Sequence, residues 1–221
     1  NVVKWNGTAW SSMGSFSSAL MNAVAVHNGE VYVGGSIPSG TFNSIARFNG
    51  TSWVGVGSGL LGGTSSSQRV MALSSVGDTL YVGGNYTTSG GFGARNISRV
   101  SSGTWSPFYG TGLDAPANAI AVSGNDVYVG GTFGSAGTVT ANKIAKWNSQ
   151  TGVWSALGTG VIADSTSVNA IAVAGNKVYA GGTFNNIGGV SATNIAMWNG
   201  TAWTAMGIGL NGPVTAIITR G

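Results

Sequence analysis

The chain has 221 residues, of which 43% are hydrophobic, 6% are charged and 39 are glycine. A net charge of +4 without any Lys/Arg run argues against nucleic-acid binding, and the absence of cysteine excludes disulfides and thiolate metal sites. No apolar run approaches the ~18 residues of a membrane-spanning helix, so we expect no membrane insertion. Low charge combined with abundant Gly, Ser, Thr and Asn is typical of an extracellular or cell-surface β protein.

One sequence unit occurs almost five times along the chain. Its clearest marker is an alanine that opens a hydrophobic run, repeated at a spacing of roughly 48 residues, which predicts a solenoid, an array or a propeller. The marker stands at Ala23, Ala72, Ala119, Ala170 and Ala216. We therefore expect a single domain, 1–221, with repeat units near 23–71, 72–118, 119–169 and 170–215, and with 1–22 and 216–221 sharing one more unit.

Each unit predicts four strands, which we call A, B, C and D in chain order. Strand A alternates Ala with Ile or Val, as in 119–122, so that small side chains nest against large ones. A two-residue turn such as Asn28-Gly29, whose residues accept positive φ, leads to strand B, written VYVGG or VYAGG. Strand C ends on an aromatic residue in most units, and a second tight turn leads to a tryptophan on strand D. Four antiparallel strands in each repeat predict a propeller blade.

The repeats resemble a known family. A hydrophobic run ending in Gly-Gly, an aromatic residue such as Trp5, Phe48 or Trp147 and a tryptophan on the next strand are similar to the kelch-type propeller repeat. Closer still are the Gly/Asn-rich propeller repeats of secreted and cell-surface proteins. Strand C departs from kelch because Trp-Asn or Phe-Asn replaces Tyr-Asp, so the resemblance implies the fold and a scaffold or interaction role rather than a kelch partner.

The two ends of the chain divide one repeat between them. Gly221 aligns with Gly175 and Asn1 with Asn194, so the equivalent of 176–193, which holds strand B, is missing. We expect an all-β fold, a five-bladed β-propeller of four-stranded antiparallel blades, closed by pairing of both termini, with one blade lacking its strand B. A segment of a longer array or of a larger ring is the alternative.

The aromatic and basic side chains recur at fixed repeat positions. All eight tryptophans fall on strands C and D, where packing between blades explains them better than sugar stacking. Lys4, Arg47, Arg99 and Lys146 share one position of strand C, and we expect their solvated stems to cover aromatic neighbours. His27 precedes the Asn28-Gly29 turn, where we expect it to be exposed.

Catalysis has little support in the sequence. Propeller glycosidases need two carboxylates converging on the centre, and no strand A carries an acid. A single histidine in a turn gives no basis for a Ser-His-Asp triad. Asp114 and Asp164 lie in loops too poor in acids to suggest a calcium site. We expect neither an enzyme nor a bound metal or cofactor.

The longer B–C and D–A connections share one face of the predicted propeller, and binding sites are usually placed on loops that vary over a constant scaffold. Residues there that break the repeat form the candidate ligand site, because aromatic, amide and charged groups together can bind a glycan or a peptide. They are Phe42, Asn43, Tyr86, Phe92, Arg95, Asp114, Asp164, Asn185 and Asn186.

Two functions remain open from the sequence. The first is a binding module for a glycan or protein partner on the long-loop face. The second is a structural repeat unit of a larger surface protein, with strand exchange through 1–5 and 214–221 at the incomplete blade. Oligomeric state separates them, because an assembly unit self-associates through its termini and a binding module does not.

Overall fold

The structure is a computed structural model that describes residues 2–38, 40, 42–62, 68–108, 112–162 and 166–219. All regular secondary structure within these ranges is β-strand, and no helix that could cross a membrane occurs there. The first two strands, β1 (Val3–Trp5) and β2 (Trp10–Ser12), pair only with each other. Four four-stranded sheets follow, which we call blades 1 to 4.

Each blade consists of four antiparallel strands in chain order. Blade 1 contains β3 (Leu20–His27), β4 (Glu30–Ser36), β5 (Ile45–Phe48) and β6 (Trp53–Gly55), and β7 (Leu60–Leu61) follows it. Blade 2 contains β8 (Arg69–Val76), β9 (Thr79–Asn85), β12 (Ile97–Ser101) and β13 (Thr104–Pro107), with the loop hairpin β10 (Thr88–Ser89) and β11 (Phe92–Gly93) between its second and third strands.

Blades 3 and 4 repeat the plan of blade 2. Blade 3 contains β14 (Ala117–Ser123), β15 (Asp126–Gly131), β18 (Ile144–Asn148) and β19 (Trp154–Ala156), with the hairpin β16 (Ser135–Ala136) and β17 (Val139–Thr140). Blade 4 contains β20 (Ser167–Ala174), β21 (Lys177–Thr183), β24 (Ile195–Trp198) and β25 (Trp203–Ala205), with the hairpin β22 (Asn186–Ile187) and β23 (Val190–Ser191). The complete set of predicted strands A to D is therefore present four times among the described residues, and β1 and β2 are a fifth pair of strands C and D.

The inner strands of the four blades line one central channel. Its volume is about 450 Å³, and its lining comes from strand A of all four blades and from Thr215, Ala216 and Ile217. Each of the four strands carries a β-bulge at the same point, immediately before the marker alanine, as between Met21 and Ala23 in blade 1. This is a propeller-like arrangement of sheets around an axis.

Neighbouring blades approach closely at the first glycine of strand B. A Cβ added to Gly34 would lie 2.3 Å from the side chain of Val70 in blade 2, and one added to Gly130 would lie 2.5 Å from Val168 in blade 4. Gly181 meets Val214 in the same way, at 2.4 Å. The first glycine of the Gly-Gly pair is thus required because the next inner strand packs directly on it.

Most tryptophans pack between blades, as expected. Trp105 and Trp203 are buried, and their indole nitrogens donate to Val56 O at 2.9 Å and Leu157 O at 2.8 Å in the preceding blade. The expectation fails for Trp5 and Trp10 on β1 and β2, which are 49% and 67% exposed. Among the described residues, no preceding blade covers these two rings.

His27 is buried rather than exposed. Strand β3 extends through it, and the side chain is 3% exposed at the boundary with blade 2. Its Nδ1 lies 2.9 Å from Ser75 Oγ, and its ring contacts Tyr32 edge-on with centroids 5.5 Å apart. The expected exposed turn residue is therefore an interblade contact.

The predicted closure by pairing of both termini is absent from the described residues. Segment 214–219 is not a strand and contacts blade 4, where Val214 N donates to Gly182 O at 3.0 Å and Thr219 Oγ1 to Val173 O at 3.1 Å. In the described part of the chain, no hydrogen bond joins this segment to β1 or β2. Strands A and C of one blade lie two positions apart, so they cannot pair directly across an unfilled strand B position.

Candidate functional site

The candidate residues from the sequence are spread over the long-loop face. Blade 1 contributes Phe42 and Asn43, and blade 4 contributes Asn185 and Asn186. Blade 2 and the segment after it contribute Tyr86, Phe92, Arg95 and Asp114. Asp164 lies outside the described residues. Among the described ones, no hydrogen bond joins any two of the predicted set. The structure therefore does not gather them into one site.

Tyr86 is a core residue rather than a ligand contact. It is 1% exposed, its hydroxyl donates to Val82 O at 2.7 Å, and the same oxygen lies 2.8 Å from Ser98 Oγ. Burial raises the pKa of Tyr86 far above its usual range, so the phenol stays neutral. Phe133 and Phe184 occupy the same repeat position and are also buried.

Asn43 belongs to the repeat instead of breaking it. Its side-chain nitrogen donates to Ser58 O at 2.9 Å and ties the B–C loop to the D–A loop. Asn96, Asn142 and Asn194 make the same bond to Leu113 O, Thr159 O and Leu210 O, and all four residues have positive φ. The signal in the sequence was an asparagine one or two residues before the isoleucine that opens strand C.

Phe42 and Asp114 also have structural contacts. Phe42 is half-buried and meets the Phe16 ring edge-on, with centroids 5.3 Å apart. Asp114 Oδ1 accepts hydrogen bonds from Gly134 N at 2.9 Å and Ser135 N at 3.1 Å, which ties the end of blade 2 to the hairpin loop of blade 3. Both residues position loops, which accounts for their departure from the repeat.

Four predicted residues remain open to a partner. Phe92 is 57% exposed on hairpin strand β11, where blades 3 and 4 carry the half-buried Val139 and Val190. Arg95, Asn185 and Asn186 are also exposed. Blade 3 separates the blade 2 pair from the blade 4 pair, so one small ligand cannot contact both.

The opposite face, which carries the A–B and C–D turns, has two pockets of the same construction. The first, which we call the turn-face pocket, has a volume of about 390 Å³ and lies between blades 3 and 4. The second, of about 440 Å³, lies between β1–β2 and blade 1. Lys146 and Lys4 occupy equivalent positions in the two linings. Sequence reasoning missed both pockets, because their walls come from two repeats.

Polar groups of several kinds surround the turn-face pocket. Lys146 Nζ lies 3.1 Å from Asp126 Oδ2, and Asn148 Nδ2 donates to Asp126 Oδ1 at 3.0 Å. Burial, and then the nearby Asp126 carboxylate, raise the pKa of Tyr128, so its hydroxyl remains a donor. Trp198 from blade 4 adds an aromatic ring to the lining. The pocket thus combines hydrogen-bond donors, acceptors and an apolar surface.

The basic side chains of strand C are more fully engaged than the sequence suggested. Arg47 pairs with Glu30 at 2.6 Å, as Lys146 does with Asp126, and Arg99 lies over the Trp147 ring at 5.2 Å from its centroid. Of these three residues, only Arg99 covers an aromatic neighbour as the sequence predicted. An acid two residues before the strand B tyrosine was the readable signal for the two ion pairs.

No metal-binding group of three or more His, Cys, Asp or Glu side chains occurs among the described residues. The described residues that line the turn-face pocket include a single acid, Asp126. The two-carboxylate arrangement of glycoside hydrolysis is thus not formed there. The pocket is equipped to hold a polar ligand by hydrogen bonds and ring contact.

Comparison with known proteins adds information on the fold alone. No family model and no curated protein matches the chain. It is similar to the crystal structure of the computationally designed Ika8 protein, with a TM-score of 0.52 and 15% identity over 91% of this chain and 65% of that chain. The computationally designed Ika4 protein gives a TM-score of 0.52 and 18% identity over 85% of this chain and 97% of that chain. The chain has a propeller-like all-β fold, and its kelch resemblance stays a prediction.

Proposed function

We propose that the chain is a five-bladed propeller that acts as a non-enzymatic carbohydrate-binding module of an extracellular or cell-surface protein. The five-bladed arrangement is supported by the channel, whose lining includes five inner segments. The compartment is supported by the 6% content of charged residues. The observation that carries the function is the turn-face pocket between blades 3 and 4.

A glycan fits the chemistry of this pocket. Sugar hydroxyls both donate and accept, and the pocket offers the Asp126 carboxylate, the Lys146 ammonium and the Tyr128 hydroxyl around one cavity. Ligand sites usually combine an apolar wall with a few placed polar groups, and the Trp198 ring can supply that wall to the C–H face of a sugar. The engagement of Asp126 by Lys146 and Asn148 favours binding over acid–base chemistry.

Screening of the purified chain on a glycan array, followed by titration of the best ligand, tests this function. Lys146→Met is the informative variant because blade 4 carries Met197 at the same strand position, so the fold accepts methionine there. Loss of one charged hydrogen bond of about 1.5–3 kcal/mol predicts a roughly 10- to 150-fold weaker affinity.

Arg99→Met is the matched control. The substitution changes the same strand position in blade 2 and removes a contact with the Trp147 ring. Arg99 lines neither the turn-face pocket nor the second pocket between β1–β2 and blade 1. Unchanged affinity is expected for this control. The carbohydrate site would be wrong if the array shows no ligand, or if the two variants weaken binding equally.

A second candidate is a protein partner on the long-loop face, favoured by the exposed Phe92. The double variant Phe92→Ala/Arg95→Ala tests it, because both side chains are open to a partner and neither is part of the core. We expect it to weaken capture of a surface partner while leaving glycan affinity unchanged. A double variant that behaves as the unaltered protein in both assays would exclude this second site.

A further inference from the structure

The inner strand of blade 1 has an exposed apolar face. Val24 and Val26 on β3 are each 65% exposed, whereas Ile171, which occupies the Val24 position in blade 4, is 9% exposed. The difference arises because strand B of a preceding blade covers Ile171, with Gly130 of blade 3 packed against it. No strand of the described chain covers β3 in this way.

Two further walls complete a slot beside β3. Strand β1 pairs with β2 along one edge, which leaves its other edge without a strand among the described residues. A cavity of about 320 Å³ lies between β1 and β3, lined by Val2, Val3, 21–24 and Val33. The same residues 22–24 also line the central channel, where Thr215, Ala216 and Ile217 lie opposite them, and the following Ile218 is 94% exposed. We call this the strand slot.

The complete blades give the register of a strand that would fill this slot. In blade 4, Tyr179 of strand B pairs with Ala172 on one side and Met197 on the other. The equivalent positions around the slot are Ile218 and Lys4, so an aromatic residue belongs between them. The following glycine would pack on Met21 and Val24, as Gly181 packs on Val214 and Ile217.

Charge adds a second requirement on the occupant. The strand B residue two positions before the tyrosine is an acid in blades 1 and 3, where Glu30 pairs with Arg47 and Asp126 with Lys146. Lys4 occupies the same strand C position as these two bases, and no ion pair to Lys4 occurs in the described structure. An acid two residues before the aromatic residue would thus meet Lys4.

We propose that the strand slot binds an extended peptide segment of another polypeptide, with the pattern acid, apolar, aromatic, apolar, Gly, Gly, antiparallel to β1. Such β-strand addition draws affinity from main-chain hydrogen bonds and specificity from alternate side chains. Burial of the exposed β3 face adds apolar stabilisation. This partner site is separate from the turn-face pocket and goes beyond the carbohydrate-binding function.

The test uses the full chain and a fluorescently labelled peptide GEVYVGGS, which has the sequence of 29–36. We expect saturable one-to-one binding by fluorescence anisotropy and a raised melting temperature. The control peptide carries Gly34→Val, because even a single Cβ at this strand position would lie 2.3 to 2.5 Å from a valine of the next inner segment in three blades. It should bind at least ~10-fold more weakly, a difference of about 1.4 kcal/mol.

A charge exchange tests the register. The Glu30→Lys peptide should bind the unaltered protein more weakly than the GEVYVGGS peptide does. On the Lys4→Glu protein the order should reverse, so that the Glu30→Lys peptide binds more tightly. Equal binding of the GEVYVGGS and Gly34→Val peptides, or no binding of either, would overturn the proposal. Self-association of the chain that the GEVYVGGS peptide cannot displace would also overturn it, because the occupant would then be a second copy.

Discussion

At the residue scale, one repeat position illustrates how the environment sets the role of a side chain. The strand D tryptophan is buried at Trp154, where it stacks on Phe108 with centroids 5.5 Å apart, and 67% exposed at Trp10. Both tryptophans occupy the strand D position of the repeat. The difference arises because blade 2 covers Trp154, whereas no preceding blade covers Trp10 in the described part of the chain.

We expect Trp154→Ala to lower the free energy of unfolding by about 3–5 kcal/mol, because it leaves a cavity between blades 2 and 3. Chemical denaturation measures this change. Trp10→Ala is the matched control and should cost under about 1 kcal/mol, as expected for a surface substitution. A similar loss at both sites would show that Trp10 is also covered in solution.

Tyr86→Phe should lower the free energy of unfolding by about 1–3 kcal/mol, because it leaves the buried Ser98 hydroxyl without its phenol partner. The ring itself should fit, since Phe133 and Phe184 fill the same position in blades 3 and 4. Thermal or urea unfolding reports the loss, and glycan affinity should not change. Weaker ligand binding at unchanged stability would instead return Tyr86 to the ligand site.

At the element scale, the strand B glycines are the points where one blade fits the next. We expect Gly181→Ala to destabilise the chain by about 1–3 kcal/mol through overpacking, because the new Cβ would lie 2.4 Å from Val214. The contact of 214–219 with blade 4 should loosen first. Hydrogen exchange at Val214 N, which donates to Gly182 O, measures that loosening.

Gly93→Ala is the control for this substitution. Gly93 lies on hairpin strand β11, where an added Cβ meets no atom within 4 Å and φ is not positive. It should leave both stability and the exchange of Val214 N unchanged. If Gly181→Ala behaves like this control, the packing of 214–219 on blade 4 is not the contact that the structure describes.

The strands were predictable from the sequence because their signals are local. Alternation in 119–122 and the turn at Asn28-Gly29 depend only on neighbouring residues, and the structure places strands and a turn there. The small hairpins such as β22–β23 were missed because they are two residues per strand within a loop. Contacts between repeats were equally hidden, as the burial of His27 and the clamp made by Asn43 show.

The candidate site was less predictable than the fold for the same reason. The turn-face pocket joins Lys146 of blade 3 to Trp198 of blade 4, a pairing that no single repeat displays. A search for residues that break the repeat instead selected Asn43 and Tyr86, which have structural roles. Departure from a repeat identifies a ligand contact only where the side chain is also exposed, as at Phe92.

At the scale of the whole molecule, the proposed function depends on five blade positions around one channel. Segment 214–219 and strand β1 belong to the fifth, incomplete position and lie on either side of the strand slot in this account. In blade 4 the equivalent residues, Ala172 and Met197, both pair with Tyr179, so the account predicts that Ile218 and Lys4 lie on either side of one strand position. Adjacent strands lie ~4.8 Å apart, so two spacings place their Cα atoms about 10 Å apart. A larger or open ring would separate them by the width of one or more blades.

The most direct measurement is the distance between nitroxide labels at Lys4→Cys and Ile218→Cys, by electron paramagnetic resonance. The chain has no native cysteine, so only these two sites are labelled. The account predicts strong dipolar broadening from a backbone separation of about 10 Å, unchanged in shape on dilution with unlabelled protein. A separation above ~30 Å, about the diameter of a small domain, would contradict the five-bladed arrangement and remove the strand slot with it.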